Sequence, residues 1–262
     1  MLPLTETTFH NYKEERPWRQ WVASLLIILT FVAGHLSQLI IQPLLFGQFV
    51  KTNPMEEAIS LTIGWGTLGM NIVITIVMFL IIRKRKGFWN VFEGKKAIAP
   101  KAILWGFLGF LLAMIGQVLA VFIETTYLGI EPGSENTEQL AMISKASPVM
   151  IISIVVFAPL LEEIVFRRAI FGALFQKTNF FIAALISGAA FAAVHMEFEH
   201  FLVYLMPAFA FAFIYYMSKS IIAPIAAHFF MNSFVMWGQL NADKLEQYTD
   251  QLPAFIQTIF HL

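Results

Sequence analysis

Cysteine does not occur in this 262-residue chain, which excludes disulfides, thiolate zinc sites and a cysteine nucleophile together and leaves the redox compartment undetermined. Aspartate is almost as scarce. Asp243 and Asp250 both lie in the C-terminal tail, so no aspartate dyad can form inside an apolar segment. HExxH is absent, and HMEFEH at 195 to 200 does not reproduce its spacing, so a zincin-type helix is excluded as well. Charge is sparse, at 13% of residues against roughly 25% in a soluble domain. The net charge is zero, and the basic residues fall in short loops and not on one stripe, so nothing points to a nucleic-acid partner.

What the chain has in excess is apolar length. Hydrophobic residues make up 58% of it and phenylalanine alone supplies 27; mean hydropathy is +0.70. Apolar runs at about 21 to 45, 60 to 82, 102 to 125, 148 to 176, 180 to 196, 201 to 218 and 220 to 239 approach or exceed the length of about 20 residues that crosses a bilayer. In lipid these runs must be helices. The expected fold is therefore all-α, a polytopic transmembrane bundle of seven or eight spans whose first partner is the lipid bilayer.

Residues 1 to 20 read as a retained polar arm, because the apolar run behind them is too long for the core of a cleavable signal. Alternate loops carry 14 of the 17 basic residues on one side. The positive-inside rule then places a multi-pass protein in the cell membrane with its N-terminus cytoplasmic and its C-terminus outside. Residues 126 to 147 read as an acidic outer loop, closed by Ser147 as N-cap of the next helix with Pro148 in its first turn. The tail from 240 to 262 is too polar to span and reads as a surface-lying amphipathic piece. No internal repeat is evident, which weakens an inverted-repeat transporter.

Against this background the stretch LLEEIVFRR at 160 to 168 is unusual, since a charged side chain at bilayer depth costs roughly 2.5–3.5 kcal/mol and marks a functional site by default. Glu163 and Arg167 are four apart, on one helical face in the favourable order for a pair. Glu162 is turned away by about 100° and has no such partner, so it faces a cavity, a proton or another helix. Arg168 can snorkel toward the cytoplasm, and Pro159 removes a backbone bond and opens space beside Glu162.

Two more polar sets lie at comparable depth. Phe191 and His195 stand in FAAVH, with Ala184, Gly188 and Ala192 forming a small-residue seam that turns His195 into the bundle. His228 and Asn232 stand in HFFMN, four apart on one face. Taken from the cytoplasmic ends of their helices, Glu162 and His195 sit at about 21 and 22 Å, with Asn232 at about 18 Å and His228 at about 12 Å. One water-filled chamber can hold all four. The plainer reading, a solvated helix end, does not explain the two histidine sets.

A carboxylate beside an imidazole activates water, directly or through a metal, and a histidine with an asparagine amide stabilises an oxyanion. Peptide-bond hydrolysis inside the membrane is the chemistry this set permits. Ser187 in LISG, with His228 as its base, is the one serine alternative; lying mid-helix without a shaping glycine, it reads as a packing residue.

The motifs EEIVFR, FAAVH and HFFMN, in that order, resemble the EExxxR, FxxxH and HxxxN motifs of the CAAX-protease and bacteriocin-processing family of intramembrane endopeptidases, also called the abortive-infection family. The match covers about residues 147 to 239, leaving 21 to 146 as N-terminal helices and loops. The resemblance implies that Glu162 and His195 activate water, that His228 and Asn232 form the oxyanion site, and that Glu163 and Arg167 support Glu162. Members are often labelled metalloproteases, yet the mechanism can be written with a glutamate base alone, so zinc and no cofactor both stand. The substrate implied is a hydrophobic or lipidated peptide, prenylated in eukaryotic-type relatives; bacterial relatives are linked to bacteriocin immunity and peptide maturation. The competing readings are a catalytically silent membrane scaffold or bacteriocin-immunity protein, and a small proton-coupled transporter. No oligomeric state follows from the sequence.

Overall fold

A computed structural model of the chain describes residues 17–85, 87–242 and 244. The N-terminal arm and the C-terminal tail fall almost wholly outside the described residues. The described residues form eight helices: α1 (Pro17–Phe49), α2 (Met55–Arg83), α3 (Ala99–Tyr127), α4 (Glu135–Ala146), α5 (Val149–Phe175), α6 (Phe180–Val194), α7 (Phe201–Ser218) and α8 (Ile222–Leu240). The fold is all-α, as expected. Helices α1, α2, α3, α5 and α7 are long and apolar enough to cross a membrane, and α6 is apolar but shorter.

Helix α5 stands at the centre, against α1, α2, α6, α7 and α8. One apolar cluster joins α1, α2, α5 and α6 through Ile27, Phe31, Met70, Ile74, Phe166 and Phe191. A second joins α3 to α7 and α8 through Ala113, Phe211, Ile214, Ala227 and Met231. Small residues permit this packing: a Cβ on Gly106 would lie 2.5 Å from Ala226 Cβ and 2.9 Å from the Ala223 carbonyl oxygen. The seam expected on α6 is present, since Ala184, Gly188 and Ala192 are buried against α7 or its neighbours.

The loops that carry the basic residues gather at one end. Ala97 N–H donates to the Ser218 carbonyl at 2.9 Å, Lys219 Nζ to the Glu93 carbonyl at 2.5 Å, and Lys177 Nζ stands 4.5 Å from the Trp21 ring centre. At the opposite end Glu124, buried on α3, accepts from the Leu202 N–H at 3.0 Å and lies 3.1 Å from His200 Nδ1. Its carboxylate thereby caps the positive end of α7 from another helix.

Three local expectations change. Residues 135 to 146 are helix and not loop: Ser134 Oγ accepts from the Thr137 N–H at 3.1 Å, with Glu135 and Glu138 in the first turn. Ser147 ends α4 and makes no side-chain cap on α5; it lodges against Gly64, where a Cβ would displace it. Arg168 does not snorkel: it is buried, donates to the Phe88 carbonyl and lies 4.0 Å over the Phe88 ring. The loop folded over its end supplies the acceptor that water would have supplied.

Helix α5 is wide over Ser153–Phe157 and again over Glu163–Phe171, where the turns are of π type. Pro159 has no N–H and its ring clashes with the carbonyl four residues back. The wide turn just upstream takes up that mismatch, and such turns recur at functional sites.

Candidate active site

The two neighbouring carboxylates of α5 have different surroundings. Glu163 has 0% of its surface exposed. Its Oε2 stands 3.0 Å from Arg167 Nε and its Oε1 2.9 Å from His228 Nδ1 on α8. Arg167 is also buried, its guanidinium 4.7 Å from the Phe191 ring centre and 5.3 Å from that of Phe211, an arrangement in which ring faces supplement the single counter-ion. The expected Glu163–Arg167 pair is present. Glu163 thus engages Arg167 on its own helix and His228 on α8 at once.

Glu162 is half-buried and faces a cavity of about 910 Å³. Its Oε2 lies 3.9 Å from His228 Nε2, too far for a direct hydrogen bond. His195, at the C-terminal end of α6, borders the same cavity with Phe191 and Tyr204. Its Nδ1 is 2.8 Å from the Phe191 carbonyl oxygen. Because a carbonyl only accepts, Nδ1 carries the proton and a neutral ring leaves Nε2 as an acceptor. The same logic applied to the Glu163 carboxylate puts a proton on His228 Nδ1.

Asn232 lines the cavity too, and its Nδ2 donates to the Ile154 carbonyl at 2.9 Å, in the first wide turn of α5. Glu162, His195, His228 and Asn232 thus share one cavity, built from α5, α6 and α8, while Glu163 and Arg167 form the buried layer behind it. Ser187 donates to the Phe166 carbonyl at 2.6 Å and is a bridge between α5 and α6.

Several polar cavity residues escaped the motif reading: Asn71 on α2, Gln117 on α3, Ser153 on α5 and Tyr204 on α7. Asn71 and Gln117 interrupt apolar spans and carried the intramembrane signal that Glu162 did. No three His, Asp or Glu side chains among the described residues converge closely enough to hold a metal ion.

The Type II CAAX prenyl endopeptidase Rce1-like family model matches residues 144–234, the stretch that contains all six of these side chains. Over 249 residues the chain is 33% identical to "Membrane-embedded CAAX protease MroQ" of Staphylococcus aureus (strain USA300), covering 92% of this chain and 98% of that protein. The chain belongs to the CAAX-protease family. The chain is also similar to "Putative membrane peptidase YdiL" of Bacillus subtilis (strain 168), 38% identical over 238 residues, with 89% of this chain and 97% of that protein covered. No solved structure matches the chain. Membership makes this a multi-pass membrane protein of a family of CAAX-type membrane proteases.

Proposed function

We propose that this chain is an intramembrane endopeptidase that hydrolyses a peptide bond in a hydrophobic or lipidated, membrane-associated peptide or protein, with Glu162 and His195 activating water. The observation that carries the reading is the single cavity bordered by Glu162, His195, His228 and Asn232. Glu162 Oε2 is buried and makes no hydrogen bond of its own, which leaves the side chain with an acceptor unused by the protein. Val32, Leu36 and Leu39 of α1 and Met196 beyond α6 border the cavity and are exposed, which supports entry of an apolar substrate from the lipid side.

In this mechanism Glu162 removes a proton as water attacks the carbonyl carbon, and His195 Nε2 accepts the water's other hydrogen bond and fixes its direction. The carbonyl oxygen gains charge and is stabilised by the Asn232 amide and by His228 when Nε2 carries a proton. Glu162 then returns its proton to the leaving amine as the carbon–nitrogen bond breaks. Glu163 and Arg167 hold His228 in register. The N-terminus is assigned to the cytoplasm, with the end that gathers the basic loops.

The test uses full-length protein in detergent with an internally quenched prenylated peptide and a non-prenylated hydrophobic one. Wild type cleaves at least one, and Glu162→Gln and His195→Ala lose about 10²–10⁴-fold. Full cleavage by those variants overturns the assignment. If no peptide is cut while the variants keep the biological effect, the scaffold reading takes its place. Cleavage persisting after treatment with 1,10-phenanthroline agrees with a glutamate base; loss restored by Zn²⁺ moves water activation to a metal.

A further inference from the structure

His195 is held by more than its own helix. Its ring lies between two aromatics: Phe191, with centres 4.7 Å apart, and Tyr204, stacked at 4.1 Å with 27° between planes. The bond from Nδ1 to the Phe191 carbonyl fixes one atom and leaves the ring free to swing about it. The Tyr204 face closes off that swing.

Tyr204 is in turn fixed from outside the helix pair. Its hydroxyl donates to Glu197 Oε2 at 2.5 Å. The same carboxylate accepts from Ser134 Oγ at 2.8 Å and from the Asn136 N–H at 2.7 Å, both at the start of α4. Met196, between the histidine and the glutamate, has φ 60°, a left-handed turn rarely taken by a residue with a side chain. That turn sends the chain back so that Glu197 meets Tyr204 seven residues on. Burial works to raise the Glu197 carboxyl, but the Tyr204, Asn136 and Ser134 donors outweigh it and hold the group below the usual carboxylate range. Glu197 is therefore a charged acceptor of three donors.

We propose that Tyr204 is a positioning residue for His195, aiming its Nε2 at the reacting water, and that Glu197 positions Tyr204 and ties it to α4. None of Tyr204, Glu197, Ser134 or Asn136 belongs to the three motifs. The inference rests on the reading of His195 as a catalytic group. Since Asn136, Thr137 and Leu140 of α4 border the cavity, the cover of the cavity and the orientation of the histidine share one carboxylate.

The experiment measures kcat and KM for the prenylated quenched peptide with full-length Tyr204→Leu, Tyr204→Phe and Glu197→Gln. Tyr204→Leu should lower kcat about tenfold, equal to about 1.4 kcal/mol of transition-state stabilisation, with KM within about twofold. Tyr204→Phe, which keeps the stack, should recover most of that loss; Glu197→Gln should cost about threefold in kcat. A signature independent of turnover accompanies these: the His195 ring proton resonance, assigned by its loss in His195→Ala, moves downfield in Tyr204→Leu and stays in place in Tyr204→Phe.

A Tyr204→Leu protein with wild-type kcat and an unmoved resonance overturns the proposal. If that variant does not fold, Glu197→Gln decides it: an unchanged kcat there overturns the proposal. Should Glu162→Gln and His195→Ala retain cleavage, the catalytic reading fails; should they be inactive while Tyr204→Leu runs at full rate, this inference alone fails.

Discussion

Changing Glu163 to Gln keeps the shape of the side chain and removes one negative charge from a place with 0% exposure. Arg167 at 3.0 Å and His228 at 2.9 Å then share one neutral carbonyl oxygen in place of two charged ones, and the buried guanidinium loses its counter-ion. Stranding a buried charge by removing its partner costs about 3–5 kcal/mol. The ring faces of Phe191 and Phe211 and the Ala208 carbonyl, 3.5 Å from Arg167 Nη2, keep the expected value near the lower end, about 3 kcal/mol. That is roughly a 10²-fold shift in the folding equilibrium. Glu162→Gln, one residue earlier, removes an equal charge from a half-buried carboxylate that makes no hydrogen bond through Oε2 and lies 3.9 Å from His228 Nε2, and should leave stability within about 0.5 kcal/mol while abolishing cleavage. The assay is a thermal-unfolding series in one detergent, run beside peptide cleavage. Adding Arg167→Met to Glu163→Gln should return most of the lost stability, because the double variant no longer buries an unpaired guanidinium and the glutamine oxygen still accepts from His228. A Glu163→Gln protein as stable as wild type, or a Glu162→Gln protein as unstable as it, refutes the division of labour between the two carboxylates.

Asn232→Ala should lower kcat about 10²–10³-fold if its amide meets the oxyanion, read by single-turnover cleavage. Gly106→Ala should destabilise by about 1–3 kcal/mol, because the new methyl meets Ala226 Cβ and the Ala223 backbone at 2.5 and 2.9 Å; thermal unfolding checks it. Glu197 has its pKa lowered in the folded protein, so its stabilising effect is complete above the unfolded value near 4.3 and is lost as pH falls through the folded value. Proteolysis of the α4 junction should accelerate below about pH 4, and Glu197→Gln should remove that pH dependence.

Much of the bundle is legible because lipid restricts the backbone to helices and a span has a fixed length. The run read as 201 to 218 coincides with Phe201–Ser218, and those at 148 to 176 and 180 to 196 end within two residues of the observed helices. The shared cavity of Glu162, His195, His228 and Asn232 was legible from helical depth together with the small-residue seam that turns His195 inward and the four-residue spacing that puts His228 and Asn232 on one face. Helix α4 was lost because, at 12 residues and mostly polar, it gives no apolar run, although Ser134 followed by Glu135 and Glu138 was a cap signal in plain view. The partner of Glu163 was out of reach for another reason. Spacing along one helix names Arg167, but which side chain of α8 arrives opposite depends on the wide turns of α5, and no residue pattern announces those.

Those wide turns fix how many residues α5 contains as firmly as which residues they are. The short α segment Ala158–Glu162 separates the two wide turns, and one residue lost from it, ahead of Glu162, rotates every position beyond the loss by about 100° relative to those before it. With the upstream turns held in place, Glu163 takes the cavity position of Glu162, the apolar Ile164 arrives where Glu163 stood, and His228 loses the carboxylate that now lies 2.9 Å from its Nδ1. Substitutions can accumulate along this rod, but the number of residues between its two wide turns cannot drift by a single unit without unmaking the site.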